Sequence, residues 1–177
     1  MGLLAGLLFL GGWTVKGTEV TERYYPIAGR SHAELLASVK RHGPRGGSAY
    51  GIGFIDFFPG YRFETKSGAC RIRDADVGLR IALKLPQWKG PDDAPRSVKR
   101  LAARFERAIR AHEFQHVKIA KRHARRMAQA LSRMRAEDNC WILRRKANEL
   151  IARHKKEHLG SQRAFDNRTR KGIKRLL

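Results

Sequence analysis

The chain has 177 residues, of which 38 are Lys or Arg and 16 are Asp or Glu, so its formal net charge is +22. This length suits one domain with a single core, and a hydrophobic fraction of 42% excludes a chain that is disordered throughout. The positive charge, most of which lies in residues 91–177, favours anionic partners such as nucleic acid or an anionic cell-envelope polymer.

The N-terminal segment MGLLAGLLFLGGW resembles the apolar core of a signal peptide. The apolar run is too short to span a bilayer, and it has neither a preceding basic residue nor a following small-residue cleavage site. We therefore predict an export-signal-like or disordered N-terminus over residues 1–20 and a single domain over residues 21–177. The protein is therefore expected to be exported from the cytoplasm.

The next predicted elements are a short strand and a helix. The segment YYPIAG predicts a strand over residues 24–29 that ends at a glycine. A compact helix is predicted over residues 31–43, because Ser31 and Glu34 have the spacing of a capping box and a Gly-Pro pair ends the apolar pattern.

From residue 49 the hydrophobic pattern changes to the period of two that is typical of strands. It predicts strands at residues 50–57 and 61–65, joined by a turn at residues 59–60. A third strand is predicted over residues 77–85, where Val, Leu and Ile alternate with other residues. These strands are expected to form a small antiparallel sheet, and an extended substrate could pair with the third of them.

The second half of the chain predicts two long helices. The first is expected to be capped by Ser97 and to reach about Ala136, and the second to run from Cys140 to His158 and to end at Gly160. The predicted fold class is therefore α+β: a small antiparallel sheet with one short helix, followed by two long antiparallel helices.

The first long helix contains the motif HExxH as His112-Glu113-Phe114-Gln115-His116. Two histidines four residues apart lie on one helix face and can bind one ion, while the adjacent glutamate can take a proton from a metal-bound water. The pattern therefore predicts a zinc site with His112 and His116 as ligands and Glu113 as general base. The histidines also continue an apolar stripe, so the alternative is a pair of hydrogen-bonded core histidines.

Several further segments follow one another in an order that is informative. They are YYPIAG, SHAELLASVKRHGP, GAC followed by IALKLPQW, HEFQHVKIA, NCWIL and AFDNRTRKG. With them the chain resembles the bacterial DUF922 family, whose members are described as predicted secreted zinc-dependent proteases. The resemblance implies an exported, zincin-like metallopeptidase with His112 and His116 as ligands and Glu113 as base.

The two cysteines, Cys70 and Cys140, are too few for a cysteine-based zinc cluster. They could close one disulfide, as is common in exported proteins, or remain two buried thiols. The resemblance to DUF922 supports the pairing of Cys70 with Cys140.

A zinc site of this kind needs three protein ligands and an open position for water, so one ligand must come from outside the motif. His123 is a poor candidate, because it lies about 10 Å beyond His116 along an unbroken helix. His154 and His158 are better candidates, because an antiparallel second helix would bring them back toward His116.

Asp166 is the predicted third ligand. A loop after Gly160 could carry it to the open side of the metal, and it lies in the segment that matches the family's terminal pattern, D-x-x-T-x-H-G. Lys171 stands where that pattern has a histidine, and a protonated lysine has no lone pair for a metal. The resemblance therefore implies impaired activity if relatives use that histidine as a ligand.

The function predicted from these features is zinc-dependent hydrolysis of peptide bonds, with one zinc ion per chain and a peptide or protein as substrate. One alternative is a catalytically weak basic protein that binds the cell envelope, and another is a nucleic-acid-binding protein. The basic runs KRHARR and RRKANELIARHKK lack interleaved aromatic residues, so sequence-specific recognition of nucleic acid is not expected.

Overall fold

The computed structural model of the chain describes residues 17–176, which form a mixed sheet and, against it, two long helices. The elements follow in the order β1 (Thr18–Ile27), α1 (His32–His42), β2 (Ile52–Lys66), β3 (Ala69–Trp88), α2 (Arg96–Ser132) and α3 (Cys140–Lys174). This order confirms the predicted α+β class. Of the predicted N-terminal segment, residues 1–16 lie outside the described residues, and residues 18–20 belong to β1.

Within residues 17–176 the sheet has three strands in the order β1-β3-β2. β2 and β3 are antiparallel and are joined by a tight turn at Ser67 and Gly68, both of which have positive φ. β1 is parallel to β3, with Thr18 opposite Leu79. The prediction of an antiparallel sheet was therefore wrong, because the sheet is mixed. From β1 at one edge the chain passes through α1 to β2 at the other edge, and it then turns back into the central strand β3.

β2 is one long strand rather than the two predicted strands. Pro59 pairs with Val77 inside the strand, and the register shifts between Gly60 and Arg62 without a turn. A proline is tolerated here because β2 lies at the edge of the described sheet, where a missing N–H removes no hydrogen bond to a further strand. The signal of a Pro-Gly pair therefore marks an irregularity in this strand and not its end.

The core lies between β3 and the inner face of α2. Along β3 the predicted alternation is confirmed by four buried residues, Leu79, Ile81, Leu83 and Leu85. They pack against a buried stripe of α2 that includes Val98, Ala102, Phe105, Ile109, Val117, Ala120, Ala124 and Met127. This packing fixes which face of α2 points away from the sheet and toward α3.

The short helix α1 has the predicted bounds and the predicted cap. The Ser31 hydroxyl oxygen accepts a hydrogen bond from the backbone N–H of Glu34 at 3.2 Å. The long helix α2 begins at Arg96, directly after Pro95, so the prediction that Ser97 caps it was wrong. No helix within residues 17–176 is long and apolar enough to cross a membrane.

The helix α3 is much longer than predicted. Asn139 caps it by accepting a hydrogen bond from the N–H of Ile142, and it continues through Gly160 to Lys174. A glycine inside a helix costs only about 1 kcal/mol relative to alanine. Contacts with α2 beyond the glycine, such as that of Gln162 with His116, stabilise the continued helix.

A disulfide between Cys70 and Cys140 attaches the start of α3 to β3, with a Cα–Cα distance of 5.2 Å. Beside it, the backbone of Cys70 exchanges two hydrogen bonds with that of Glu137. The predicted pairing is confirmed. The disulfide therefore holds the first residue of α3 at β3, and the rest of the helix lies along α2.

Candidate metal centre

The two histidines of the HExxH motif and Asp166 converge between α2 and α3. The Asp166 Oδ1 atom lies 2.9 Å from His116 Nε2 and 3.3 Å from His112 Nε2. The two Nε2 atoms are 3.2 Å apart. Asp166 comes from the body of α3 and not from a loop, so the predicted residue reaches the predicted place by a different route.

The donor set and its spacing fit a small divalent metal ion. In a tetrahedral site with metal–ligand distances of about 2.0–2.1 Å, donor atoms are separated by about 3.3 Å. The three separations at this site, 2.9 to 3.3 Å, are close to that value. Two imidazoles and one carboxylate are also the protein ligands of many catalytic zinc sites. His112, His116 and Asp166 are therefore the residues that would hold a zinc ion.

Gln162 orients His116 for this role. Its Oε1 accepts a hydrogen bond from His116 Nδ1 at 2.5 Å, and its amide nitrogen donates to the backbone oxygen of His116 at 3.2 Å. With the proton on Nδ1, the lone pair of His116 is on Nε2, which faces Asp166. Sequence reasoning missed Gln162, and the signal that could have found it is its spacing of four residues from Asp166 on one helix.

Phe165 closes the site beside the histidines. Its ring stacks on that of His112, with centroids 4.8 Å apart, and meets that of His116 edge-on at 5.0 Å. Burial and the neighbouring His116 lower the pKa of His112, which keeps its imidazole in the neutral form that binds metals. Sequence reasoning missed this contact, because Phe165 lies beyond the predicted end of the helix.

Glu113 is the buried member of the motif, with only 5% of its surface exposed. Burial raises the pKa of its carboxyl to about 7, although His116 acts in the opposite direction. A carboxylate with a pKa near neutrality is suited to accept and return a proton. The prediction that the two histidines continue the apolar stripe was wrong, because the buried stripe of α2 passes through Glu113 and the histidines lie at its half-buried border.

The start of β2 lies directly against this carboxylate. A Cβ atom at Gly51 would be 2.6 Å from Glu113 Oε1 and 2.8 Å from a methyl group of Ile109, and one at Gly53 would be 3.7 Å from Glu113 Oε2. Only a glycine leaves room at the first position. The sequence shows these glycines in YGIGF, but their role depends on a strand packing against the motif helix.

The sequence profile of a family described as bacterial proteins of unknown function, DUF922, matches residues 22–172. The chain belongs to the DUF922 family. The expected resemblance is thus confirmed, and the matched region includes the HExxH motif, both cysteines and Asp166. Neither a curated protein nor a solved structure matches the chain.

The two rival ligands of this DUF922 protein, His154 and His158, do not belong to the group formed by His112, His116 and Asp166. His158 is buried, and its Nε2 accepts a hydrogen bond from the Gln162 amide at 2.6 Å, so it supports the residue that orients His116. Burial lowers the pKa of His158 to about 4. His154 lies nearer to His123 and Glu157. Lys171 is exposed on α3 and is not among the residues that line the cavity at the site.

A cavity of about 950 Å³ opens onto the site of the DUF922 domain. Its walls are residues 50–53 and 55–58, the motif side chains of α2, and the α3 residues that face them. Four exposed basic residues contribute to its lining: Arg45, Lys155, Arg170 and Lys174. β2 is the strand that faces this cavity. The expectation that a substrate pairs with residues 77–85 was wrong, because these lie in β3, whose two edges are occupied by β1 and β2.

Proposed function

We propose that this protein is a zinc-dependent, zincin-like metallopeptidase in which His112, His116 and Asp166 hold one catalytic zinc ion. The observation that carries the proposal is the position of Asp166, whose carboxylate lies within 3.3 Å of both histidine Nε2 atoms while Glu113 is buried beside them. A bound zinc would polarise the scissile carbonyl and lower the pKa of its water to about 7.

Glu113 acts as the general base in this proposal. It takes a proton from the attacking water and later delivers it to the leaving amine, a task that suits its raised pKa. The backbone at Gly51 limits where the carboxylate can lie, since it is in close contact with Glu113 Oε1. Gln162 holds His116 in the tautomer that leaves Nε2 free for the metal.

The substrate is a peptide or protein segment in an extended conformation. The outer edge of β2 has no neighbouring strand among residues 17–176, and the first residues of β2 line the cavity. A peptide added to that edge would form backbone hydrogen bonds and lie across the motif helix. The exposed basic residues of the cavity favour acidic side chains in the bound segment.

We place the protein outside the cytoplasm, in the periplasm or the medium. The Cys70–Cys140 disulfide supports this location, because such bonds persist in oxidising compartments. A second candidate function is a catalytically weak protein that binds an anionic envelope polymer. It is favoured by Lys171, which stands where the family's terminal pattern has a histidine, and by the many exposed basic residues of α2 and α3.

The test is cleavage of a broad peptide library by zinc-loaded protein, read by mass spectrometry. The wild type and Glu149→Gln, which removes an exposed carboxylate of α3, should cleave equally. Glu113→Gln should retain zinc and lose hydrolysis by about 10²–10⁴-fold. Equal cleavage by Glu113→Gln would show that this residue is not the base, and an inert wild type with bound zinc would favour the envelope-binding candidate.

A further inference from the structure

A second group of metal-binding side chains lies farther along the same two helices. His123 of α2 and His154 and Glu157 of α3 each place a ligand atom within 4.8 Å of the others. His154 Nδ1 is 3.5 Å from Glu157 Oε2. His123 follows His116 by seven residues, about 10 Å along the helix axis, so this group is separate from the HExxH site.

Two ring nitrogens in this group are buried and have no hydrogen-bond partner among the described residues, although one of them, His154 Nδ1, lies 3.5 Å from Glu157 Oε2. His123 is 4% exposed, and its Nδ1 atom has no hydrogen-bond partner among the described residues. His154 Nδ1 is likewise buried without a hydrogen-bond partner in that part of the chain. Buried polar atoms nearly always have a partner, so two such nitrogens close together need a physical explanation. A shared cation would satisfy both.

The remaining contact of His123 is the one that a metal ligand needs. Its Nε2 atom lies 2.9 Å from the Ser161 hydroxyl oxygen, which can accept a hydrogen bond from the Nε2–H. In that tautomer the lone pair is on Nδ1, the buried atom that has no hydrogen-bond partner among the described residues. Metal-bound histidines commonly donate their other ring N–H to a neighbouring group in this way.

We propose that His123, His154 and Glu157 form a second site for a divalent transition-metal ion of the zinc type. Two imidazole nitrogens and one carboxylate oxygen are ligands that suit zinc and the neighbouring first-row ions. The ion joins α2 to α3, about two turns before Gln162 and about three turns before Asp166 on α3. It thereby fixes the register in which α3 presents both residues to the HExxH motif.

This second site does not depend on the proposed peptidase activity. His123 and His154 are not among the residues that line the cavity. Within residues 17–176, the only carboxylate in this second group of ligands is that of Glu157. Glu157, whose side chain is 52% exposed, gives an ion a route to the site from solvent. With three protein ligands, the site leaves a fourth position for a water molecule, and it lies outside the cavity at the HExxH motif.

The experiment measures Zn²⁺ binding in a background that lacks the first site. The full chain carrying His112→Ala and Asp166→Ala is freed of metal with a chelator and titrated with Zn²⁺, and bound zinc is quantified by equilibrium dialysis and elemental analysis. We expect this background protein to bind about one zinc per chain, at the second site. Adding His123→Ala or Glu157→Gln should lower this zinc affinity by more than about 100-fold. The loss of a residue that only orients a ligand typically lowers metal affinity by roughly 10–100-fold.

The controls separate this proposal from loss of folding and from the proposed function. His32→Ala removes an exposed histidine of α1 and should leave the remaining zinc in place. Glu157→Gln alters a half-exposed side chain, and its far-ultraviolet circular dichroism should match that of the background. A background protein that binds no stoichiometric zinc, or whose zinc is unaffected by both His123→Ala and Glu157→Gln, overturns the second site and leaves the HExxH site untouched.

Discussion

The two histidine clusters between α2 and α3 have the same kinds of ligand and very different surroundings. His112, His116 and Asp166 open onto a cavity of about 950 Å³, whereas His123 and His154 are enclosed between the helices. A catalytic metal needs an open position for water and substrate, and a structural metal does not. In our two proposals, access to the ligands, more than their chemical type, distinguishes a catalytic from a structural metal site.

The neighbours of each cluster support the same division. Beside the first lies Glu113, a buried carboxylate with a pKa of about 7, and against it lies Gly51, the residue directly before β2. Beside the second lies the hydroxyl of Ser161, which can hold a ring but cannot serve as a base at neutral pH. Substitutions in the two clusters should therefore affect different measurements.

The largest expected difference in peptide cleavage is between variants of the first pair of histidines, His112 and His116, and variants of the second pair, His123 and His154. His112→Ala and His116→Ala should abolish peptide cleavage, because each removes a ligand of the proposed catalytic zinc. His123→Ala and His154→Ala should lower the midpoint of thermal unfolding and retain cleavage when zinc is in excess. Cleavage and thermal unfolding are measured for all four variants. If all four lost cleavage and unfolded at the same temperature, the proposed difference between a catalytic and a structural site would be contradicted.

Asp166 and Lys171 provide the next test. Asp166→Ala should weaken zinc binding at the HExxH site by more than about 100-fold, since a ligand is lost. Lys171→Ala should bind zinc as the wild type does, because Lys171 is exposed and does not line the cavity. Competition with a chromophoric chelator measures both affinities. An unchanged affinity in Asp166→Ala would remove it from the ligand set.

A smaller effect is expected at Gln162, which touches His116 but no proposed metal. Gln162→Leu should weaken zinc binding at the HExxH site by about 10–100-fold, because His116 loses the acceptor that fixes its tautomer. Binding at the His123 site should change less. Zinc titration of the metal-free variant gives both values, and an equal loss at the two sites would indicate a general loosening of α3.

The smallest expected effect concerns acid stability and His158, which lies between the clusters. Burial lowers the pKa of His158 to about 4, below its unfolded value of about 6.5, so its contribution to stability is complete above pH 6.5 and is lost as the pH falls toward 4. Urea unfolding of the metal-free wild type should show a loss of about 2 kcal/mol between pH 7 and pH 5 from this group. His158→Gln should lack that share, and an unchanged pH dependence would contradict the assignment.

The sequence predicted those features that depend on local patterns. The capping residues of α1, the alternation along β3 and the placement of HExxH on a long helix all follow from residues close together in the chain. Resemblance to DUF922 supported the pairing of Cys70 with Cys140, which the structure contains. Asp166 was predicted as a ligand, and the structure brings it to the two histidines.

The errors occurred where tertiary contacts override a local signal. Strand direction does not affect alternation, so the parallel pairing of β1 with β3 could not be predicted. The Pro59-Gly60 pair was interpreted as a turn although it lies within an edge strand. Gly160 was predicted to end α3, yet packing on α2 extends the helix. For that reason Gln162 and Phe165, both beyond Gly160, were missed.

The most direct test of the account is a zinc titration of the metal-free wild type in which bound zinc and peptide cleavage are measured in the same samples. The account predicts that cleavage increases together with zinc binding at the HExxH site, the zinc that the His112→Ala variant does not bind. The Glu113→Gln variant should bind this zinc and fail to cleave. Full cleavage by the metal-free protein, or zinc at the HExxH site with no cleavage of any library peptide, would contradict it.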